Sequence, residues 1–441
     1  MKLAILSSLS WVVCIAAVIR AEDWPQWMGP QRDGVYRETG IARSIPSDGL
    51  PVLWRAPIQG GYSGPAVADG RVFVTDFVSI SGKSTNDSGA RDKVQGTERV
   101  VCLEEATGKE LWIYSYERSY EISYANGPRA TPTVDGKLVY CLGAQGDLLC
   151  LDTASGNLVW KKQLADTYKT QAPIWGYAAH PLVYGELLIT LAGGEGSVAV
   201  GLDKKTGEER WRALTASEIG YCPPSILQLG GKDHLVIWDA DKINALEPTS
   251  GKLIWSKPLK PRYGMSIAAP RLSGNLLFAS GIGEVSGVFA IDENGQPDES
   301  LWSGKPKIGV YCANSTPAFE GDVIYGSDCG SGMMIAVNAR DGSRYWETFK
   351  PTTCGERRAS HGTVFIVQHE DRYLLFSETG DLIFAQLSPE AYQEQGRMHV
   401  LEATSECFGR SVVWSHPALA NRKLFWRNDR EIVCVDLSAR N

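Results

Sequence analysis

A ten-residue pattern recurs along this chain and restricts the folds open to it. Leu103-Glu104-Glu105-Ala106-Thr107-Gly108-Lys109-Glu110-Leu111-Trp112 returns as Leu151-Asp152 through Ser155-Gly156 to Trp160, and as Leu202-Asp203, Thr206-Gly207 and Trp211. Leu246-Glu247, Ser250-Gly251 and Trp255 form another copy, and Asn338, Asp341-Gly342 and Trp346 a later one. In these five copies the Trp follows the Gly by four positions. Two looser copies are Asp292 through Gly295 to Trp302, and Thr379-Gly380 with Phe384 where the Trp would stand. Successive glycines are 48, 51, 44, 44, 47 and 38 residues apart, the length of one four-stranded antiparallel sheet. A chain of 441 residues would ordinarily divide into several domains. Stacked repeats escape that rule, because each adds core against its neighbours.

A second signature opens each unit: Pro or Gly, a few residues, a turn, then an alternating apolar strand. The eight openings are Pro65, Pro132, Pro181, Pro224, Pro270, Pro317, Gly362 and Pro417. Strands such as Arg71-Val72-Phe73-Val74 and Asp322-Val323-Ile324-Tyr325 follow them with the period-two alternation of β structure. The eighth unit ends at Val433 to Leu437 with no Trp beyond it, whereas Val52-Leu53-Trp54 stands unused at the other end. An N-terminal strand that completes the last sheet closes a ring and hides two strand edges. The expectation is an all-β, eight-bladed propeller of four-stranded antiparallel blades, one domain over 48–437 with a tail at 438–441 and an extension at 22–47 lying on it. Trp54, Trp112, Trp160, Trp211, Trp255, Trp302, Trp346 and Phe384 should dock each blade against the next, each Trp contributing roughly 2–3 kcal/mol on area grounds. Trp24 and Trp27 should cover a face from outside, so deleting 22–47 should cost much less than truncating Trp54. Ser388-Pro389-Glu390 reads as the start of a short helix ending by Gly396. The polar run Ser79 to Glu98 reads as a long hairpin loop in blade one.

Residues 1–21 read as a secretory signal: Lys2, an apolar run from Leu3 to Ile19, and a small residue, Ala21, for cleavage. Cys14 after Val12-Val13 is a poor context for lipid attachment. Losing Lys2 and Arg20 would move the net charge from −7 to −9, which argues against nucleic acid or an anionic membrane as the partner. Nine of the ten cysteines would remain, an odd number, with no Cys-x-x-Cys to hold zinc or attach haem. Cys141 and Cys150 flank one hairpin; they read either as an oxidisable pair or as two buried apolar residues.

The repeat resembles the pyrroloquinoline-quinone-type (quinoprotein-like) propeller family over nearly the whole chain. That family includes quinoprotein alcohol dehydrogenases and the non-enzymatic propeller subunit of the outer-membrane β-barrel assembly machinery. The segment Asp23-Trp24-Pro25-Gln26-Trp27-Met28-Gly29-Pro30 and the stretch Trp414-Ser415-His416-Pro417 are similar to a bacterial exported subfamily. The resemblance implies an exported protein, periplasmic or secreted, and two kinds of activity. A dehydrogenase of this class would need pyrroloquinoline quinone, calcium held by carboxylate and amide oxygens, and a carboxylate base. No such set stands out, nor does the adjacent Cys-Cys pair many such enzymes carry. A binding or scaffolding module with a protein or polymer on its faces is therefore the first reading. A divergent quinone- or metal-dependent oxidoreductase, with its site in the central funnel, is the alternative.

Residues ahead of each first strand should ring one mouth of the channel: Asn126, Arg129, Trp175, Tyr177, Tyr221, Tyr263 and Met265. Tyr311, Asn314, Arg357, Arg358 and Arg410 continue the ring. Aromatic faces and guanidinium groups there would suit a small planar or anionic ligand, or would simply plug the channel. His180, His361 and His416 share one repeat position. Blade three lies far round the ring from blades seven and eight, so a hydrogen bond to a neighbouring blade is expected of them rather than a shared metal. Gly193-Gly194-Glu195-Gly196 lacks the following helix a phosphate loop requires and reads as a hairpin turn.

Overall fold

In a computed structural model, residues 22–355 and 357–439 are described. The expected signal segment lies outside the described residues. Eight four-stranded antiparallel sheets follow one another along the chain. Their first strands begin at Ala66, Thr133, Leu182, Ser225, Arg271, Ala318, Val364 and Ala418, one or two residues after the eight openings seen in the sequence. First strands of neighbouring blades touch one another and so surround the central axis. The described helical structure is one four-residue α-helix, Leu164–Thr167, and a 3-10 turn, Arg262–Gly264.

The strand Val52–Pro57 completes blade eight by pairing with Glu431–Asp436, Trp54 opposite Cys434. Its indole then leaves the sheet and docks on blade one, where Nε1 donates to the Glu105 carbonyl at 2.9 Å. A Cβ on Gly108 would lie 2.5 Å from the Trp54 ring. Gly108 has φ +71°, so this glycine is required twice, by the turn and by the ring that lies on it. The same contact repeats from blade to blade: Trp112 on Gly156, Trp160 on Gly207, Trp211 on Gly251 and Trp302 on Gly342. Trp255 and Trp346 donate to the Gly295 and Ser388 carbonyls of the following blades.

Blade seven departs from the expectation. Thr379-Gly380 is the turn between its second and third strands, Arg372–Ser377 and Asp381–Leu387. Phe384 therefore lies on the third strand under the Arg372 guanidinium and is not a docking residue. The residue opposite Phe384, where other blades carry Trp, is Gly396. A Cβ there would approach Ile45 at 3.3 Å, so the N-terminal segment occupies the place a Trp takes elsewhere. The helix expected at Ser388 is also absent. Ser388 Oγ accepts from the amides of Glu390 and Ala391, which closes a hairpin turn into the strand Tyr392–His399. A serine-capped turn of this kind carries the same local signal as a helix start.

The N-terminal segment does not lie outside the ring. Trp24 and Trp27 are only 1% and 2% exposed. Trp24 exchanges backbone hydrogen bonds with Val67 of blade one, and the Pro25 carbonyl accepts from Val134 of blade two. Arg32 donates to the His180, Pro181 and Pro224 carbonyls of blades three and four. Arg271 of blade five donates to the Arg32 and Asp33 carbonyls, and Gln368 of blade seven bonds Gly34 and Tyr36. The segment thus crosses the channel from wall to wall. The polar run of blade one is a hairpin whose strands reach well into it: Arg71–Ser81 and Asp92–Glu104, with Glu110–Ile122 pairing alongside, leave only 82–91 as loop. All nine described cysteines are free, and Cys141 and Cys150 are out of register, opposite Leu149 and Tyr140.

Trp54→Ala should lower unfolding free energy by about 3–5 kcal/mol in chemical denaturation, as a large-to-small core change at the ring closure. Deleting residues 22–47 should cost at least as much, because Trp24, Trp27, Tyr36 and Ile41 are all core residues. That reverses the ranking the sequence suggests.

Candidate functional site: a blind aromatic cavity on the propeller axis

The first strands run away from one mouth of the channel. The N-terminal segment bonds them at or near their far ends, at Val67, Val134 and Gln368, and seals that side. The residues before the strands are left around a cavity of about 690 Å³ open at the other mouth. Its wall follows the repeat. Three residues ahead of each opening Pro or Gly stand Tyr62, Arg129, Ala178, Tyr221, Ile267, Asn314, Ala359 and Trp414, and all but Ala359 line the cavity. Of the ring anticipated from sequence, the cavity gathers Arg129, Trp175, Tyr221, Tyr263, Met265 and Asn314.

The other anticipated residues are used elsewhere. Arg410 pairs with the buried Glu378 at 2.6 Å, which also accepts from the Trp414 indole and so fixes that wall. Tyr177 donates to the Ala192 carbonyl and Tyr311 to those of Lys305 and Ile308. Asn126 donates to the Tyr62 hydroxyl at 3.3 Å from behind the wall, Arg358 reaches the Gly330 carbonyl, and Arg357 is exposed. Trp27, Tyr62, Tyr124, Phe408 and Trp414 also line the cavity and were not anticipated. Tyr62 and Trp414 could have been found, since they share the repeat phase of Arg129 and Tyr221. Trp27 could not, because it arrives from outside the repeat.

The floor is a cluster of Trp27, His180 and His416. The Trp27 indole stacks on His180 with ring centroids 4.9 Å apart, and its Nε1 donates to His416 Nε2 at 3.2 Å. The His180 and His416 centroids are 6.1 Å apart. Blades three and eight, distant along the circumference, meet at the axis, so the separation expected from counting blades does not hold there. The expected bond between blades is present as well: His180 Nδ1 accepts from the Thr131 amide of blade two at 2.8 Å. That bond leaves Nε2 as the protonated nitrogen. Burial drives His180 well below the ordinary histidine range, with His416 and Arg32 adding to it. Burial takes His416 down to about 3, and burial with Arg410 takes His361 to about 4. All three are neutral at physiological pH.

Among the described residues, no aspartate or glutamate lines the cavity, and the one fixed cation there is Arg129. Four lining residues that are not glycine have left-handed backbone: Tyr124 (φ 51°), Tyr263 (61°), His361 (59°) and Phe408 (46°). Each costs of order 1–3 kcal/mol and persists only where surrounding structure imposes it. His361 and Phe408 stack at 4.9 Å, an aromatic pair from two different connections. Among the described residues, no group of three or more His, Cys, Asp or Glu is placed to hold a metal ion.

Residues 96–348 match the family model for outer membrane protein assembly factor BamB, a pyrroloquinoline-quinone-type repeat. The chain belongs to this family. It is 23% identical over 338 residues to the outer membrane protein assembly factor BamB of Shewanella oneidensis, 67% of this chain and 81% of that one. A shorter match, 30% identical over 123 residues, is to quinohemoprotein alcohol dehydrogenase ADH IIB of Pseudomonas putida; it spans 26% of this chain and 17% of the enzyme. Among solved structures, BamB from Moraxella catarrhalis is similar with a TM-score of 0.56 at 16% identity, covering 89% of this chain and 99% of that one. Quinohemoprotein alcohol dehydrogenase from Comamonas testosteroni has a TM-score of 0.60 at 12% identity, covering 95% and 81%. These structural likenesses carry the fold. Among the described residues the lining does not fit a quinone–calcium centre: it holds no acidic side chain, and so no carboxylate ligand for a divalent ion and no carboxylate base.

Histidines buried in neutral form stabilise the fold less as pH falls. The unfolded chain takes up a proton near the ordinary histidine value, while the folded chain holds off to about 3 for His416 and about 4 for His361. Stability is then unaffected by these groups above about pH 6.5 and falls by about 1.4 kcal/mol per pH unit for each below it, until the folded value is reached. Thermal unfolding between pH 7 and pH 4.5 should show this decline, and His416→Gln should make it shallower.

Proposed function

We propose that the chain is an exported, non-catalytic binding propeller that holds a protein partner in the cell envelope and keeps a ligand pocket on its axis. The carrying observation is the lining of the cavity: among the described residues its walls are aromatic rings, neutral imidazoles and one arginine, with no carboxylate to hold calcium or to serve as base. The family match supports the same role, since its named members are assembly factors for outer membrane proteins. Among the described residues no helix is long and apolar enough to cross a membrane. The left-handed backbone at Tyr263 and Phe408 supports a recognition surface at the mouth, because both side chains stand well exposed on the rim, Tyr263 by 68%. Aromatic anchors of this kind dominate protein interfaces.

The test is a titration with pyrroloquinoline quinone and calcium, followed by thermal unfolding and by dye-coupled oxidation of alcohols and sugars. The expected result is no rise in melting temperature and no turnover. A ligand bound at a hundred times its dissociation constant would stabilise by about 2.7 kcal/mol, well within reach of the assay. A rise with quinone and calcium together, accompanied by substrate oxidation, would replace the binding role with an oxidoreductase.

A further inference from the structure

A hydrogen-bond donor at the bottom of the cavity has no partner in the protein. His180 lines the cavity and is 7% exposed. Its Nδ1 is taken by the Thr131 amide of the adjoining blade at 2.8 Å, so the proton sits on Nε2, on the side of the ring away from that wall. Among the described residues nothing accepts that proton, since the bond at Nδ1 is the one the imidazole makes. The neighbouring floor groups are already engaged. Trp27 lies flat on the His180 ring and donates its own N–H to His416 Nε2. The His416 ring stands at 89° to His180, with centroids 6.1 Å apart. A hydrogen bond at one edge and an indole on one face therefore hold the His180 ring in place, and its free N–H with it. Burial keeps the ring neutral. A buried donor without an acceptor destabilises its surroundings until an acceptor arrives.

The charged group in the wall is engaged by the protein itself. Arg129 donates to the Gly127, Ser123 and Tyr124 carbonyls, and its guanidinium lies over the Tyr62 ring, 5.4 Å from the centroid. Among the described residues no acid lines the cavity. Much of the remaining lining is aromatic surface, from Trp175, Tyr263, Phe408 and Trp414. A volume of about 690 Å³ is that of a small-molecule pocket, and the sealed floor leaves one mouth for entry. We propose that the cavity binds an uncharged, planar ring compound with a carbonyl oxygen at its leading end, the oxygen accepting from His180 Nε2 and the rings lying among the aromatic walls. This rests on the binding-propeller reading and adds the ligand's chemical class to it. Ring burial supplies most of the affinity, and the fixed N–H sets the orientation. A carboxylate in the same place would give up its hydration for one neutral donor, which disfavours it.

Three probes of one shape test this by quenching of tryptophan emission in the full chain. They are 2-acetylnaphthalene, its hydrocarbon counterpart 2-isopropenylnaphthalene, and naphthalene-2-carboxylate. The expected result is one saturable site that takes the ketone about tenfold more tightly than the carboxylate. His180→Asn keeps an oxygen where Nδ1 accepts from Thr131 and removes the Nε2 donor. It should lower the ratio of ketone to hydrocarbon affinity about fivefold, the net worth of one neutral hydrogen bond. If that variant fails to fold, the infrared carbonyl stretch of isotopically labelled ketone bound to the native chain gives the same answer. It should fall below its value in hexane, as it does in an alcohol. Ala178→Phe, which fills the cavity from a wall position, should weaken all binding with the circular dichroism of the native protein retained. A carboxylate bound more tightly than the ketone would overturn the uncharged class. An unchanged ratio in His180→Asn, or a stretch at the hexane value, would overturn the His180 contact, and binding undiminished in Ala178→Phe would place the site outside the cavity. Absence of binding by ketone and hydrocarbon alike would overturn the ligand class and leave the binding-propeller reading standing, since that reading falls only to quinone- and calcium-dependent turnover.

Discussion

A tryptophan of one blade lying on the glycine turn of the next is the contact on which the ring depends. It joins units that share few hydrogen bonds, and it has to recur round the circle for the last blade to meet the first. The indole brings a large apolar area and one donor, usually satisfied by a carbonyl of the receiving turn, as Trp54 is by Glu105 and Trp302 by Ala339. The glycine brings positive φ and the absence of a Cβ where the ring comes to rest. Neither residue can change alone: a side chain at Gly108 would strike Trp54, and a smaller residue at Trp54 would leave a void above Gly108.

Blade seven shows the same constraint met differently. Its outer strand carries Gly396 at the docking position, and the N-terminal segment fills the gap with Ile45 before entering the ring as the strand of Trp54. Upstream, the same segment has crossed the channel, held by Arg32, Arg271 and Arg372 through backbone carbonyls. Burial lowers the arginine groups' hold on their protons, Arg32 to about 9, yet they stay charged because each donates to several carbonyls. One stretch of chain thus closes the ring, fills an interblade gap and floors the cavity. The floor turns an open channel into a pocket.

The repeat was legible because its physics is local. Turn glycines, strand alternation and a planar residue four positions later all act within a few residues of one another, and their recurrence counts the blades. The cavity wall was partly legible for the same reason. Arg129, Tyr221 and Asn314 stand three residues before an opening proline, and the repeat sends that position to the axis in nearly every blade. The misreadings at Phe384 and Ser388 arose where a local signal has two structural meanings. A Thr-Gly turn can join second and third strands as well as third and fourth, and a serine cap can close a hairpin as well as open a helix.

The sequence by itself determined the number of blades, the strand that closes the ring and the tryptophans that dock one blade on another, though not the docking of blade seven, because each follows from patterns repeated at blade length. Tertiary structure alone decided that His180 and His416 meet over Trp27, that Arg410 turns to Glu378 instead of the funnel, and that 22–38 seals the channel. The meeting of His180, His416 and Trp27 joins residues hundreds of positions apart at the axis of a closed ring. Circumferential distance vanishes there, and nothing in the local pattern of either partner specifies the other.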